Sequence, residues 1–240
     1  MKLVLLSGWG IDARIWQPLA PYWPDGVEVI TPDWPGYRAS PGLERANDLA
    51  ALAEAMRGTR PAEAVWIGWS LGALLAAALL DHLPTPRGLI RLGMAERFTD
   101  APGCRVSFAE LRAFRRAFRR DPEAIRQRFL ARQLGGEAQP DQALQALTRL
   151  IGPRPPADTA TLDAGLAWLA TLETTGPLAR SGCPNATLIG EHDPLFDAAA
   201  LSEAEVLPGT GHCPQLAMPE RLARTLVATA RALLATGATA

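Results

Sequence analysis

Gly68-Trp69-Ser70-Leu71-Gly72 places a serine midway between two glycines. The apolar residues 64–67 precede it and an Ala/Leu-rich run follows. The order therefore reads strand, sharp turn, helix, the context in which a G-x-S-x-G serine is presented as a nucleophile. The glycines answer a steric demand, because a side chain beside a serine in so strained a turn would collide with the adjoining strand and helix. A serine hydroxyl is a poor nucleophile at neutral pH, so this chemistry needs a general base and a group to orient it. Only three histidines are present. His82 ends the helix that starts at the serine, about three turns away, too far to reach it. His192 follows the fifth strand as a loop histidine or a neighbour of the site. His212, in Gly209-Thr210-Gly211-His212-Cys213-Pro214, follows the last strand in a glycine-flanked loop able to hold an imidazole over the sheet edge, and it is the favoured base.

The elements needed to position these residues are legible as an alternation. Short apolar, β-rich runs at 2–6, 27–30, 64–68, 88–92, 186–190 and 204–207 read as strands, and helical spacing at 47–56, 71–82 and 219–234 reads as helices, with Asn47 or Asp48 as a cap. Strands alternating with helices imply a mostly parallel sheet covered on both faces. Residues 101–176 lack strand signals and carry helical periodicity, broken at Gly152-Pro153-Arg154-Pro155-Pro156. The expected organisation is an α/β core, 1–100 and 177–240, with a helical cap, 101–176, inserted after the fourth strand and lying over the carboxyl ends of the strands, where open α/β sheets bind ligands.

Composition narrows the class. A chain of 240 residues, 48% hydrophobic and 20% charged with a net charge of -1, is that of an ordinary globular protein with ample core. The longest apolar run, 71–80, is about half of the ~20 residues a membrane-spanning helix needs. The four apolar residues Leu3 to Leu6 fall short of the ~7 to 15 of a signal-peptide core, so the expected location is the cytoplasm. Cys104, Cys183 and Cys213 form no C-x-x-C pair, which fits reduced thiols and gives no indication of a metal or other cofactor.

The sequence resembles the α/β-hydrolase superfamily, and within it the pimeloyl-[acyl-carrier protein] methyl ester esterases of biotin synthesis. The matching pieces are Leu-Val-Leu-Leu-x-Gly-Trp-Gly at the first strand, Trp-Ile-Gly-Trp-Ser-Leu-Gly at the elbow and Gly-x-Gly-His-x-Pro near the end. In the cap, Arg128-Phe129-Leu130-Ala131 and the stretch from Asp163-Ala164-Gly165-Leu166 to Pro177-Leu178 follow the same pattern. The resemblance implies an α/β-hydrolase fold with a sheet of about six strands, and a carboxylesterase that frees the methyl group of a pimeloyl chain borne on acyl carrier protein. It implies a chain order of serine, acid, histidine. Asp193, three residues past Gly190, fits best as the acid, with Asp197 and Glu191 as lesser candidates. The backbone N–H of Leu71 is one expected oxyanion donor and that of Trp9 the second, although Trp9 also reads as an aromatic wall of the pocket. Phe129 is implied as a substrate-binding residue. Two departures stand out: Ser7-Gly8 replaces the family's usual His-Gly, and the interval from Asp193 to His212 is short.

The charges are not evenly spread. Residues 105–132 hold nine arginines and three acids, a net of +6, which leaves -7 for the remainder. At 100° per residue, Phe108, Leu111, Phe114 and Phe118 fall on one helical face and Arg112, Arg115, Arg116, Arg119 and Arg120 on the other. Arg112, Arg115, Arg116, Arg119, Arg126 and Arg128 are the expected docking residues for an acidic partner such as acyl carrier protein, because guanidinium groups pair bidentately with carboxylates and phosphates. The alternative is a solvated cap helix. Nucleic acid fits poorly, since the patch is small and its aromatics face inward. A monomer is the expected state.

Overall fold

The apolar runs become six strands of one parallel sheet in a computed structural model, which describes residues 1–236. They are β1 Lys2–Leu6, β2 Glu28–Ile30, β3 Val65–Trp69, β4 Gly88–Leu92, β5 Asn185–Gly190 and β6 Glu205–Leu207, in the order β2-β1-β3-β4-β5-β6. Every neighbouring pair is parallel. Such a sheet must be covered on both faces, and the strand residues sort accordingly. Leu3 and Leu5 of β1, with Val65 and Ile67 of β3, join Leu222, Leu226 and Ala230 of the C-terminal helix on one face. Val4, Leu6 and Trp66 join Leu74 and Leu75 on the other.

The order of strands positions the site. The chain runs outward from β1 to β2 and then crosses to β3, so the direction of winding reverses between β1 and β3, and their carboxyl ends diverge around a crevice. Leu6 is in register with Gly68. The residues that follow, Ser7-Gly8-Trp9 on one side and Trp69-Ser70 on the other, are therefore neighbours at the mouth of that crevice.

Helix α1, Leu49–Met56, is capped by Asp48, whose carboxylate accepts the Ala51 N–H. Helix α2, Leu71–Ala78, starts at the elbow and is buried throughout. Between β4 and β5 come α3 Phe108–Arg120, α4 Pro122–Gln133, α5 Pro140–Ile151, α6 Thr159–Thr171 and α7 Thr175–Ser181. Beyond β6 lie the short α8, Pro214–Ala217, and α9, Pro219–Thr236. A capping box of Ser107 and Glu110 opens α3. The inserted helices share a hydrophobic cluster with the sheet: Leu111, Phe118, Phe129 and Leu166 belong with Leu6, Trp66 and Leu74. Helix α7 crosses the boundary expected at 176 and packs on α2. Among the described residues no helix is long and apolar enough to cross a membrane.

Short or irregular helical elements escaped the sequence pattern. Residues Ala13–Tyr22 form a 3-10 helix with Pro18 and Pro21 inside it, a geometry that obscures the 3.6-residue period. The four residues of α8 are too few to show a period at all.

The face assigned to α3 needs one correction. Leu111 and Phe118 are buried, but Phe108 is 41% exposed, because the first turn of α3 projects past the packed layer, and the Arg112 guanidinium lies 5.8 Å from its ring centroid. Helix α3 is pinned to α6 by a fork in which Arg115 and Arg119 each donate twice to Asp163. The bonds from Arg115, with those from Arg119, hold the Asp163 carboxyl at about 2 against the opposing effect of burial. A carboxyl held low in the folded state stabilises above its ordinary range, and that stabilisation is lost as pH falls toward 2.

Candidate active site

Ser70 sits at the tip of the β3–α2 turn with φ 55 and ψ -125, one of three non-glycine residues with positive φ among the described residues. Such a conformation costs of order 1 to 3 kcal/mol and holds only where the surroundings impose it. They do so through close approach. A Cβ on Gly68 would collide with the backbone of Ala73, and one on Gly72 would stand 2.6 Å from the carbonyl oxygens of Leu6 and Ser7. The Ser70 N–H donates to Leu92 O at 2.9 Å, tying the elbow to the end of β4.

Asp193 and His212 are brought together by the loops after β5 and β6. His192 N–H donates to Thr210 O at 2.8 Å, which zips one loop to the other. His212 Nδ1 then lies 2.7 Å from Asp193 Oδ2, with both side chains fully buried. The other oxygen, Oδ1, accepts N–H groups from Leu195 at 2.8 Å and Phe196 at 3.2 Å. These bonds turn Oδ2 of Asp193 toward the imidazole. His212 Nε2 is buried without a hydrogen-bond partner among the described residues. The short interval between Asp193 and His212 suffices because β5 and β6 are adjacent strands and β6 has only three residues.

The imidazole is held on several sides. Trp69 Nε1–H donates to the His212 carbonyl at 2.8 Å, and the Phe196 ring stacks at 6.4 Å between centroids. Gly93, with φ +61, makes room: a Cβ there would stand 3.0 Å from His212 Cε1. Gly93 follows Leu92, the acceptor of the Ser70 N–H, so serine and histidine converge on the end of β4. Gly93, Phe196 and Glu137, whose carboxylate accepts the Cys213 N–H, escaped sequence reasoning. A glycine just past a strand is the only local signal any of them gives.

The other acids and histidines are elsewhere employed. Asp197 caps the turn at Ala198–Ala200 and pairs with Arg105 at 3.5 Å. Glu191 accepts the Gly209 N–H, and His192 is exposed beside it. His82 is exposed at the end of the helical segment after α2.

Trp9 is 1% exposed, its Nε1–H donates to Leu162 O at 2.7 Å, and its ring meets Phe114, Phe118 and Phe129 edge to face. The backbone N–H groups of Trp9 and Leu71 have no acceptor among the described residues. Two narrow apolar cavities lie beside Trp9. One is lined by Trp34, Tyr37, Leu71 and Gly165, the other by Phe98, Leu111, Phe114, Phe129 and Leu195 with Glu110 and Arg132. Trp9 touches the lining of both. Ser7, at the usual histidine position, is buried with its hydroxyl unpartnered, and its carbonyl accepts the Trp34 Nε1–H. No cluster of metal-ligating side chains occurs among the described residues.

The arginines divide into three groups. Arg126 is 1% exposed and donates from Nε to Gly10 O at 3.3 Å, so it braces the loop after β1 and cannot meet a partner. Sequence periodicity missed this because an arginine reads as a surface residue until tertiary packing covers it. Arg115 and Arg119 are committed to Asp163. Arg112, Arg116 and Arg128 are exposed and have no acidic partner among the described residues.

The profile of the Alpha/beta hydrolase family matches residues 3–225. A protein of Edwardsiella ictaluri (strain 93-146) named pimeloyl-[acyl-carrier protein] methyl ester esterase is 32% identical over 231 residues, 91% of this chain and 88% of that one. One of the same name from Aromatoleum aromaticum (strain DSM 19018 / LMG 30748 / EbN1) is 32% identical over 235 residues, 91% of this chain and 93% of its own. Among solved structures, an esterase from Exiguobacterium antarcticum superposes with a TM-score of 0.78 at 18% identity, covering 96% of this chain and 92% of that one. A thermophilic esterase from Thermogutta terrifontis gives 0.74 at 21% identity, covering 97% and 90%. The chain thus belongs to the alpha/beta hydrolase family, alongside relatives that bear the name pimeloyl-[acyl-carrier protein] methyl ester esterase.

Proposed function

We propose that this protein is a serine carboxylesterase that hydrolyses the methyl ester of a pimeloyl chain borne on acyl carrier protein, a step of biotin synthesis in the cytoplasm. The observation that carries the reading is the buried His212, tied through Nδ1 to Asp193 and left with an unpartnered Nε2, on a loop that converges with the strained Ser70 at the end of β4. Ser70 Oγ attacks the ester carbonyl while His212 Nε2 takes its proton, and Asp193 stabilises the imidazolium. The oxyanion is met by the Leu71 and Trp9 N–H groups. The tetrahedral intermediate collapses with cleavage of the C–OCH3 bond, His212 returning the proton to the departing methoxide as methanol. Water then attacks the acyl-serine with His212 as base, releasing the free acid and restoring Ser70. No cofactor is required. A serine-directed organophosphorus probe should add one phosphonyl group to Ser70 in the folded protein, seen by intact mass, and absence of the adduct would return the fold to a ligand-binding role.

Residues 101–176 serve as a cap over this site. Ser70 is only 2% exposed, so a substrate reaches it after neighbouring side chains move. The cavity lined by Phe129 suits the acyl chain, and the uncommitted Arg112, Arg116 and Arg128 supply the face for the acidic carrier protein. Reversing these three to Glu is expected to lower kcat/KM for the carrier-borne ester by about tenfold or more at low salt while leaving a small free ester within twofold. Equal loss on both substrates removes the docking role.

Gly93→Ala tests the space beside His212. A side chain at φ +61 costs roughly 1–2 kcal/mol, and contact with the imidazole is expected to lower kcat about tenfold. Thermal melts and steady-state turnover of one small ester check both parts. An unchanged kcat would show that the imidazole is not confined there.

A further inference from the structure

The turn joining α4 to α5 is fitted against the loop that carries His212. Glu137, 7% exposed, lies in that turn. Its Oε1 accepts the Cys213 N–H at 3.2 Å. That donor immediately follows His212, and Gly211, immediately before it, packs closely on the same carboxylate. A Cβ on Gly211 would stand 2.9 Å from Glu137 Oε1, and one on Gly136 would overlap the His192 carbonyl, so the two loops leave no space between them. Among the described residues Glu137 forms no ion pair with Lys, Arg or His, and its Oε2 has no hydrogen-bond partner. Burial pushes its carboxyl up, and the backbone bond from Cys213 opposes that. A buried carboxylate held by N–H groups makes charge-assisted bonds, stronger than those of a neutral acceptor.

The same stretch of chain grips the other side of the site. Arg126 of α4 donates to Gly10 O, next to Trp9, and is likewise buried. Two charged side chains from one helix and its following turn thus each hold the backbone of a different site loop. Neither touches the position a reacting ester would take.

We infer that Glu137 is a positioning residue for His212, holding the backbone just after the imidazole by a hydrogen bond and just before it by close packing, so that the ring stays between Asp193 and the elbow. This rests on His212 acting as the base. The inserted helices then do more than roof the crevice, because they set the geometry of the histidine loop beneath them.

The test compares Glu137→Gln and Glu137→Ala in the full chain with a small free ester, each rate normalised to the fraction that an organophosphorus probe labels after exhaustive reaction. Glutamine keeps an oxygen acceptor and is expected to retain kcat within about threefold. Alanine removes it and is expected to lower kcat about ten- to a hundredfold with KM within twofold, the signature of a misplaced group and not of lost binding. A merely structural role would lower the melting temperature and leave normalised kcat unchanged, which overturns the proposal, as does a glutamine variant as impaired as alanine. If the alanine variant does not fold, Glu137→Asp, which withdraws the oxygens by one methylene, must show the fall in kcat, and full activity there overturns the proposal too. Failure of the parent protein to label at Ser70 would instead overturn the esterase reading.

Discussion

Ser70→Ala is expected to lower kcat for every ester the enzyme turns over by about 10⁴-fold or more, because nucleophile, base and acid act as a unit and the loss of one forfeits most of what all three supply. The substitution is clean. The hydroxyl has no hydrogen-bond partner among the described residues, so its removal strands no donor or acceptor, and alanine keeps the Cβ that faces Gly8. The melting temperature should stay within a few degrees of the parent, and the organophosphorus adduct should vanish. A variant that still turns over within tenfold of the parent would mean that a different nucleophile carries the reaction.

Asp193→Asn is expected to lower kcat on the order of 10³- to 10⁴-fold with the fold intact. The reason lies in the two oxygens. Oδ1 accepts the N–H groups of Leu195 and Phe196, so the asparagine carbonyl takes that place and the amide NH2 faces His212 Nδ1. An NH2 group cannot accept the Nδ1 proton. The imidazole is then driven to carry its hydrogen on Nε2, where it can no longer receive the serine proton. Asp193→Ala should be equally inactive but less stable, by about 1–3 kcal/mol, since it leaves the Leu195 and Phe196 N–H groups buried and unpaired. If the asparagine variant keeps a tenth of parental kcat, Asp193 orients nothing that matters to the rate.

Much of this site is legible in the residue string, because local rules fix it. The serine is found by its two glycines and the strand and helix around them, and the favoured histidine by its glycine-flanked loop. The six strands are found by short apolar runs, four of them agreeing with the structure to within a residue at each end and β1 and β4 matching at both. What stayed hidden depends on contacts between residues far apart in the chain. Gly93 looks like any glycine after a strand, and only the folded chain shows the His212 ring against it. Arg126 and Arg128 are alike in type and two residues apart, yet one is buried and the other exposed. Arg115 and Arg119 read as free charge until α6 brings Asp163 beneath them. Glu137 carries no pattern, since its hydrogen-bond partner is a backbone group 76 residues on.

The net charge of -1 is similarly a poor guide to partners. It is the cancellation of +6 in 28 residues against -7 elsewhere, and part of that +6 is spent within the fold, on Asp163 and on the loop after β1. Of the arginines expected to dock a partner, Arg112, Arg116 and Arg128 stay exposed and without an acidic partner among the described residues, a smaller face than the sequence alone offers.

The most direct test of the account is the ratio of kcat/KM for the methyl ester of a pimeloyl chain on acyl carrier protein to that for free dimethyl pimelate, measured at low ionic strength. The carrier-borne ester is predicted to be preferred by about tenfold or more, with the preference shrinking as salt screens the arginine face. A ratio at or below one, or no turnover of the carrier-borne ester, would contradict it.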